Sequence, residues 1–373
     1  MSCQSTAPGN AFSRRIVSRD SPALAAVEPW NSGLGGVGFM LVYLAKEKKV
    51  HVVDFGPISP RKTDPADYPL SGGTTTDLFT WPSVKDDRNV HGPLSIAVPG
   101  HVDGHATALA KFGTKSFAEV IAPAIELADL GIAADWYLTL KTATMAKELA
   151  RYPSTRDVWL PGGYPPVTPA GNALGRLKLT NLANTMRTLQ KNGPRDYYEV
   201  EVAAAIVKDL AAMGGIIDAQ DLKSYHARIV EPMEFEYRNA RISVAGGLTA
   251  GPTIKRVLKS LEGQTFPAGG PGADAFVAYA QQLRDAYAER LATMGETDDT
   301  KNPGCTTHFN VIDREGNMVA HTQTLLSVFG SRVVLPTTGI LMNNGIMWFD
   351  PRPDSPNYFA PSKRPLTNMC PVI

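Results

Sequence analysis

Residues 305 to 312 read Cys-Thr-Thr-His-Phe-Asn-Val-Ile and follow the polar run Asp298-Asp299-Thr300-Lys301-Asn302-Pro303-Gly304. A loop there becomes an apolar-alternating strand. Threonine inside a chain is a poor nucleophile, but cleavage of the Cys305-Thr306 bond would leave Thr306 with a free α-amine beside its own hydroxyl. Nucleophile and general base would then share one residue. A terminal amine has a reference pKa of roughly 7.7 to 8.0, so a useful fraction is neutral near pH 7 and can accept the hydroxyl proton. Cys305 carries a thiol of its own, yet its place makes it the residue whose carbonyl is attacked during such processing. Asp313-Arg314-Glu315-Gly316-Asn317 reads as a turn and Met318 to Leu325 as the returning strand, so Thr306 is expected to open a hairpin with Thr324 on its partner.

With these residues in view the chain resembles the γ-glutamyl transpeptidase family of N-terminal-nucleophile hydrolases. The resemblance rests on Thr306-Thr307-His308, Asp313 to Gly316, Thr322-Gln323-Thr324, Phe329-Gly330-Ser331, Gly339 to Asn344 and Lys363-Arg364-Pro365-Leu366, in matching order and spacing. Upstream it extends through Val27-Glu28-Pro29-Trp30, Gly35 to Met40, Val98-Pro99-Gly100 and Asn192-Gly193-Pro194, covering most of residues 24 to 373. It implies an α/β (α+β) four-layer αββα sandwich. It also implies self-cleavage before Thr306 into two subunits of one precursor, and an acyl-threonine intermediate that passes its acyl group to water or an amine. Thr324 matches the family threonine that supports the nucleophile by hydrogen bonding. The substrate implied is a small-molecule amide, γ-glutamyl or related; Asn343 and Asn344 are the candidate substrate-binding residues, and no cofactor or metal is implied.

The departures from the family pattern bear on specificity. In the family an arginine shortly after the Asp-Phe of an early strand holds the α-carboxylate of the γ-glutamyl group, whereas Asp54-Phe55 is followed here by Gly56. The family's polar residue two after the supporting threonine is Leu326, and the polar and acidic residues after the Asn-Asn pair are Gly345 and Trp348. Hydrogen bonds to charged groups contribute roughly 1.5 to 3 kcal/mol each, so these losses weaken free γ-glutamyl binding. Asn343 to Pro351 suggests the acylase-like branch, with Trp348 and Phe349 either lining a more apolar acyl pocket or packing a core. Relative to the family the chain is expected to be incomplete at both ends, with the oxyanion-hole glycines beyond Ile373; losing one oxyanion donor costs about 2.7 to 4 kcal/mol. The alternative function is therefore a truncated or catalytically inactive member acting as a fragment or non-enzymatic partner.

Composition bounds the remaining classes. The chain has 373 residues, 43% hydrophobic, enough for one large core or two moderate ones. Lys plus Arg number 37 against 36 Asp plus Glu, and no basic run makes a nucleic-acid footprint, so no nucleic-acid partner is expected. The longest apolar run, Phe39 to Ala45, is strand-sized, so no membrane span is expected. Met1 to Arg19 holds four serines and three arginines with no acid before Asp20, faintly like a transit segment, but no secretory h-region is visible; the expected location is cytoplasmic. Cys3, Cys305 and Cys370 make neither a disulfide framework nor a metal spacing.

The elements that must position Thr306 follow. Gly33-Leu34-Gly35-Gly36-Val37-Gly38 fits a dinucleotide fingerprint, but Pro29 to Ser32 precedes it and a strand follows, so it is read as a glycine loop entering a hairpin of strands 39 to 44 and 50 to 55. Residues 57 to 105, rich in proline and glycine, read as surface loops near the site mouth. Helices are expected over Phe117 to Leu130, kinked at Pro123, around Leu182-Met186-Leu189, over Val202 to Met213, from Asp218, over Thr253 to Leu261 and over Ala273 to Met294, whose acids Asp274, Asp285 and Glu289 form a solvated face. Pro267 to Gly272 connects the last two. The divisions are an unassigned segment 1 to 23, a large-subunit region 24 to 305 and the start of a small-subunit region at 306 to 373.

Overall fold

The computed structural model describes residues 20–75, 77, 81–168, 170–266, 270–294 and 305–373. The run Asp298 to Gly304, Pro267 to Gly269 and Met1 to Arg19 lie outside them. The frame of the site is a five-stranded antiparallel sheet. Its strands are β1 (Val37–Leu44), β2 (Lys49–Phe55), β3 (Arg228–Val230) and the hairpin formed later in the chain by Cys305–Ile312 and Met318–Leu326. Between β3 and that hairpin lies a small two-stranded ribbon, β4 (Met233–Tyr237) and β5 (Ala240–Val244), so the hairpin strands are β6 and β7. The spatial order is β6-β7-β1-β2-β3.

β1 is the central strand: its sequence Val-Gly-Phe-Met-Leu-Val-Tyr-Leu is apolar on both sides because both faces of this strand are covered, and its first six residues are buried. Met40 and Val42 point to one face, with Val53, Phe55 and Val319, and pack on Ala108 of a helix. Val37, Phe39 and Leu41 point to the other, with Val52 and Ala320, and pack on Ala245, Met347, Trp348 and Met369. Alternation of period two thus gives each face its own core.

One helix covers the first face, and others pack beyond it. α1 (Asp20–Val27) packs on α3 (Phe117–Leu130), which packs on α4 (Thr180–Asn192), while α2 (His101–Phe112) lies on β2 and β1. Ser116 and Glu119 close a capping box that starts α3, and the helix runs through Pro123 without interruption. α5 (Glu201–Ala212), α6 (Gly251–Ser260) and α7 (Ala273–Met294) fall where hydrophobic spacing puts them, and Asp274, Asp285 and Glu289 are exposed. Asp218 caps the short helix Ala219–Ser224.

One expectation is corrected. Residues 57 to 105 are not all surface loop, because α2 begins at His101 and Val98 to His105 are buried. The segment His-Val-Asp-Gly-His has weak helix propensity, and only contact with the sheet makes it helical. A Cβ at Gly104 would stand 2.3 Å from the Phe55 ring, so glycine there lets helix and strand meet. Among the described residues no helix is long and apolar enough to cross a membrane.

Candidate active site

The glycine loop before β1 brings the two halves of the site together. Gly35 and Gly38 would each place a Cβ 2.3 Å from a carbonyl oxygen, of Leu341 and Thr322 respectively, so only glycine permits the backbone of the loop to press on the later strands. The loop enters a strand rather than a helix, as expected from its context.

Thr306 stands at the start of the edge strand β6. Cys305 pairs with Leu326 and Thr307 with Gln323, so Thr306 faces two residues of β7, Thr324 and Leu325, across a bulge. Leu326 takes a positive φ of 82°, and its amide donates to Thr324 Oγ1 at 2.8 Å. Bulges turn a side chain out of its regular direction, and here the result is a hydroxyl pair: Thr306 Oγ1 lies 3.4 Å from Thr324 Oγ1. Thr324 is buried, whereas Thr306 is partly accessible. The two residues singled out by chemistry and spacing are therefore adjacent, and Thr306 follows directly on the Cys305 carbonyl.

Neighbouring residues fix this corner. Thr307 Oγ1 donates to Glu28 Oε2 at 3.1 Å, tying β6 to the segment just after α1. His308 Nδ1 lies 2.8 Å from Thr322 Oγ1 and its Nε2 lies 3.2 Å from Asn310 Oδ1. Glu28 belongs to a matched motif, but no role could be read for it, since its partner is 279 residues away.

Asn343 and Asn344 are fully buried. Asn343 Nδ2 donates to Gly35 O at 2.7 Å and Ala97 O at 3.0 Å, and its Oδ1 accepts from Ala97 N at 3.1 Å and Gly345 N at 2.8 Å. Asn344 Nδ2 donates to Val90 O and to Ser327 Oγ, both at 2.8 Å, and its Oδ1 accepts from Ser327 N at 3.0 Å. Each amide is thus engaged by the protein and holds three chain segments together. Trp348 and Phe349 are also fully buried, Trp348 against Phe39 and Leu41 and Phe349 against Phe359.

A cavity of about 450 Å³ opens on the same sheet face as Thr324, two strands along at β2. Asp54, Gly56, Arg228 and Arg364 line it, with Phe39 and Val52. Asp54 is ion-paired with Arg228 and, at 3.2 Å, with Arg364 Nη1, and its Oδ1 also accepts from Gly56 N at 2.9 Å. Neither arginine stands out in the sequence as a site residue. Arg228 meets Asp54 only through the β2–β3 register, which pairs them directly.

On the opposite face His101 and His105 of α2 and His321 of β7 form a cluster of tilted rings, with centroids 4.2 and 5.0 Å apart. Burial holds all three well below the usual imidazole range, His105 down to about 4. His105 Nδ1 lies 2.6 Å from the His101 carbonyl oxygen, while its Nε2 and both ring nitrogens of His101 and His321 have no hydrogen-bond partner among the described residues. Among the described residues no group of His, Cys, Asp and Glu is arranged to hold a metal ion.

Comparison with known proteins bears on this arrangement. A family model described as gamma-glutamyltranspeptidase matches residues 21–304 and 277–373. The acylase ACY 1 proenzyme of Pseudomonas sp. (strain V22) is 31% identical, over 98% of this chain and 70% of that protein. The glutathione hydrolase proenzyme of Escherichia coli (strain K12) is 28% identical, over 94% and 67%. Among solved structures, a cephalosporin acylase from Bacillus halodurans shares the fold with a TM-score of 0.76 at 24% identity, covering 94% of this chain and 68% of that one. The Helicobacter pylori gamma-glutamyltranspeptidase gives 0.65 at 27% identity, covering 76% and 78%.

Proposed function

Because the chain belongs to the γ-glutamyltranspeptidase family, we propose that it is an amidase or acyltransferase whose nucleophile is Thr306, made competent by cleavage of the Cys305–Thr306 bond. Family membership supports γ-glutamyl transpeptidase or acylase-type hydrolase activity. The observation that carries the finer reading is the hydroxyl pair at the bulge, Thr306 Oγ1 3.4 Å from Thr324 Oγ1, with Thr306 directly after the Cys305 carbonyl.

The processing step moves one acyl group. The Thr306 hydroxyl oxygen adds to the Cys305 carbonyl carbon, its proton passes to the departing nitrogen, and the C–N bond breaks to leave an ester and a free α-amine. Water then hydrolyses the ester. In turnover the amine takes the hydroxyl proton as Thr306 attacks an amide carbonyl; the protonated amine gives that proton to the leaving nitrogen, and water or an amine takes the acyl group off. Thr324 Oγ1 accepts from Leu326 N and from the Thr306 hydroxyl, a contact that orients the nucleophile.

The acyl group is proposed to be other than a free γ-glutamyl. Gly56 supplies no side chain, and Leu326 and Trp348 are buried apolar side chains where the family pattern is polar. That set agrees with the acylase named among the relatives. The same departures favour a second reading, a member without catalytic activity that serves as a fragment or partner.

Intact-mass spectrometry of the purified chain beside Thr306→Ala decides between the readings. Two fragments meeting at Cys305 and Thr306 in the unaltered chain, absent from the variant, are the expected result. A folded chain that stays uncut, alone and with amide substrates, would refute the nucleophile and leave the non-catalytic reading.

A further inference from the structure

We propose that Glu28 is a positioning residue for the nucleophile: acting through Thr307, it holds the start of β6 against β7, so that Thr306 stays beside Thr324 while the Cys305–Thr306 bond is attacked and after that bond is gone. This role rests on the reading of Thr306 as the nucleophile.

Topology creates the need. β6 is an edge strand, and among the described residues it pairs with β7 alone. Its regular ladder begins at Thr307, because Cys305 pairs with Leu326 and the register shifts before Thr307 pairs with Gln323. Cleavage would make Thr306 the first residue of a strand with one open flank and no peptide bond on its N-terminal side. Chain ends fray unless something ties them down. A displacement of about 1 Å at a reacting group can cost about 100-fold in rate, so the strand needs an anchor next to Thr306.

Glu28 is placed to be that anchor. Its Oε2 accepts from Thr307 Oγ1 at 3.1 Å and from Asn31 Nδ2 at 3.4 Å. Thr307 lies opposite Gln323, one residue from Thr324, so the two-residue period turns its side chain to the face away from the hydroxyl pair of Thr306 and Thr324. The strand is thus held from behind, and the nucleophilic oxygen stays free. Bonds to a carboxylate are stronger than bonds between neutral groups, which suits a single contact that must hold a strand end.

The turn that carries the carboxylate also holds β7. Asn31 N and Ser32 N donate to Glu28 O at 3.0 and 3.3 Å, and Trp30 between them is buried in the core. Asn31 O accepts from Leu325 N at 2.8 Å, and Gln323 Nε2 donates to Ser32 Oγ at 3.2 Å. Leu325 is one of the two residues across the bulge from Thr306, and Gln323 is the partner of Thr307. One turn therefore fixes β6 at Thr307 and β7 on both sides of Thr324.

The test follows cleavage between Cys305 and Thr306 in a mass-spectrometric time course, beside urea midpoints that keep the comparison to folded chains. Glu28→Ala is expected to slow cleavage by about 10- to 100-fold. Glu28→Gln keeps an acceptor for Thr307 and Asn31 and should recover most of that loss. Thr307→Val removes the same bond from the strand side and should match Glu28→Ala, so it carries the test if Glu28→Ala fails to fold. The double variant should be no slower than either single one, since both remove one contact. In the cut chain, Glu28→Ala should speed amide exchange in β6 more than it does in the uncut Thr306→Ala chain, where the peptide bond still tethers the strand. Folded variants cut at the unaltered rate would overturn the role, as would a loss that Glu28→Gln does not relieve, a loss that Thr307→Val does not share, or exchange that rises equally in cut and uncut chains. An unaltered chain that is never cut removes the nucleophile reading and this role with it, whereas cleavage indifferent to Glu28 removes the role alone.

Discussion

Acid should destabilise this protein at a pH where carboxylates are still charged, and the cause is the cluster of His101, His105 and His321. All three rings are fully buried, and burial holds their pKa values below 6.5, with His105 at about 4. The charges that act on them do not oppose this: His105 and His321 act on His101, and His105 and His308 act on His321, all lowering, while only the bond from the His101 carbonyl favours charge on His105. A depressed histidine pKa means that the unfolded chain binds more protons than the folded one. The stability is then fully present above about pH 6.5 and is lost as pH falls toward the folded values. One unit below its unfolded pKa, at pH 5.5, His105 alone costs about 1 kcal/mol, and His101 and His321, lowered in the same direction, add to that cost. Against a total stability of about 5 to 15 kcal/mol that is a measurable share. For His105 alone the loss levels off near pH 4 at roughly 3 kcal/mol. Asp218 and Glu119, both held at about 2, lose their contribution only at lower pH, so the window from 6.5 to 4.5 reports the histidines. Urea midpoints measured at half-unit steps from pH 7.5 to 4.5 check this, beside His321→Phe, which removes one titrating ring and should flatten the slope. A midpoint that stays level down to pH 5, or a slope that His321→Phe leaves unchanged, would refute the reasoning.

Two further perturbations address the site. Thr324→Ala should slow the appearance of the two fragments about tenfold in a mass-spectrometric time course, because one neutral hydrogen bond contributes about 1 kcal/mol to orientation and the Leu326 amide loses its acceptor; an unchanged time course would remove Thr324 from the proposed mechanism. Asn343→Ala should lower stability by about 3 kcal/mol or more in denaturant unfolding, since it strands Ala97 O, Ala97 N and Gly345 N in a buried site, while Gly35 O keeps only the backbone N–H of residue 343; a loss under 1 kcal/mol would mean that water or backbone shifts replace the amide.

The elements carrying Thr306 were legible because their signals are local. Apolar alternation marks Val37–Leu44, Lys49–Phe55 and the hairpin Cys305–Leu326, and a helical spacing marks Phe117–Leu130 and Ala273–Met294. Position and chemistry of Thr306 and Thr324 follow from the same local facts, since a two-residue period and one turn set which residues of a hairpin face each other. What remained hidden depends on contacts between distant segments. His101 to His105 becomes helix only against Phe55, Glu28 reaches Thr307, and Arg228 and Arg364 converge on Asp54 from 174 and 310 residues away. Sequence by itself determined the family, the hairpin and the nucleophile candidate, because each is written in neighbouring residue types. Only the tertiary structure decided the charge of the cavity, the burial of Asn343 and Asn344 and the histidine cluster, because burial and ion pairing are properties of chain segments brought together by packing.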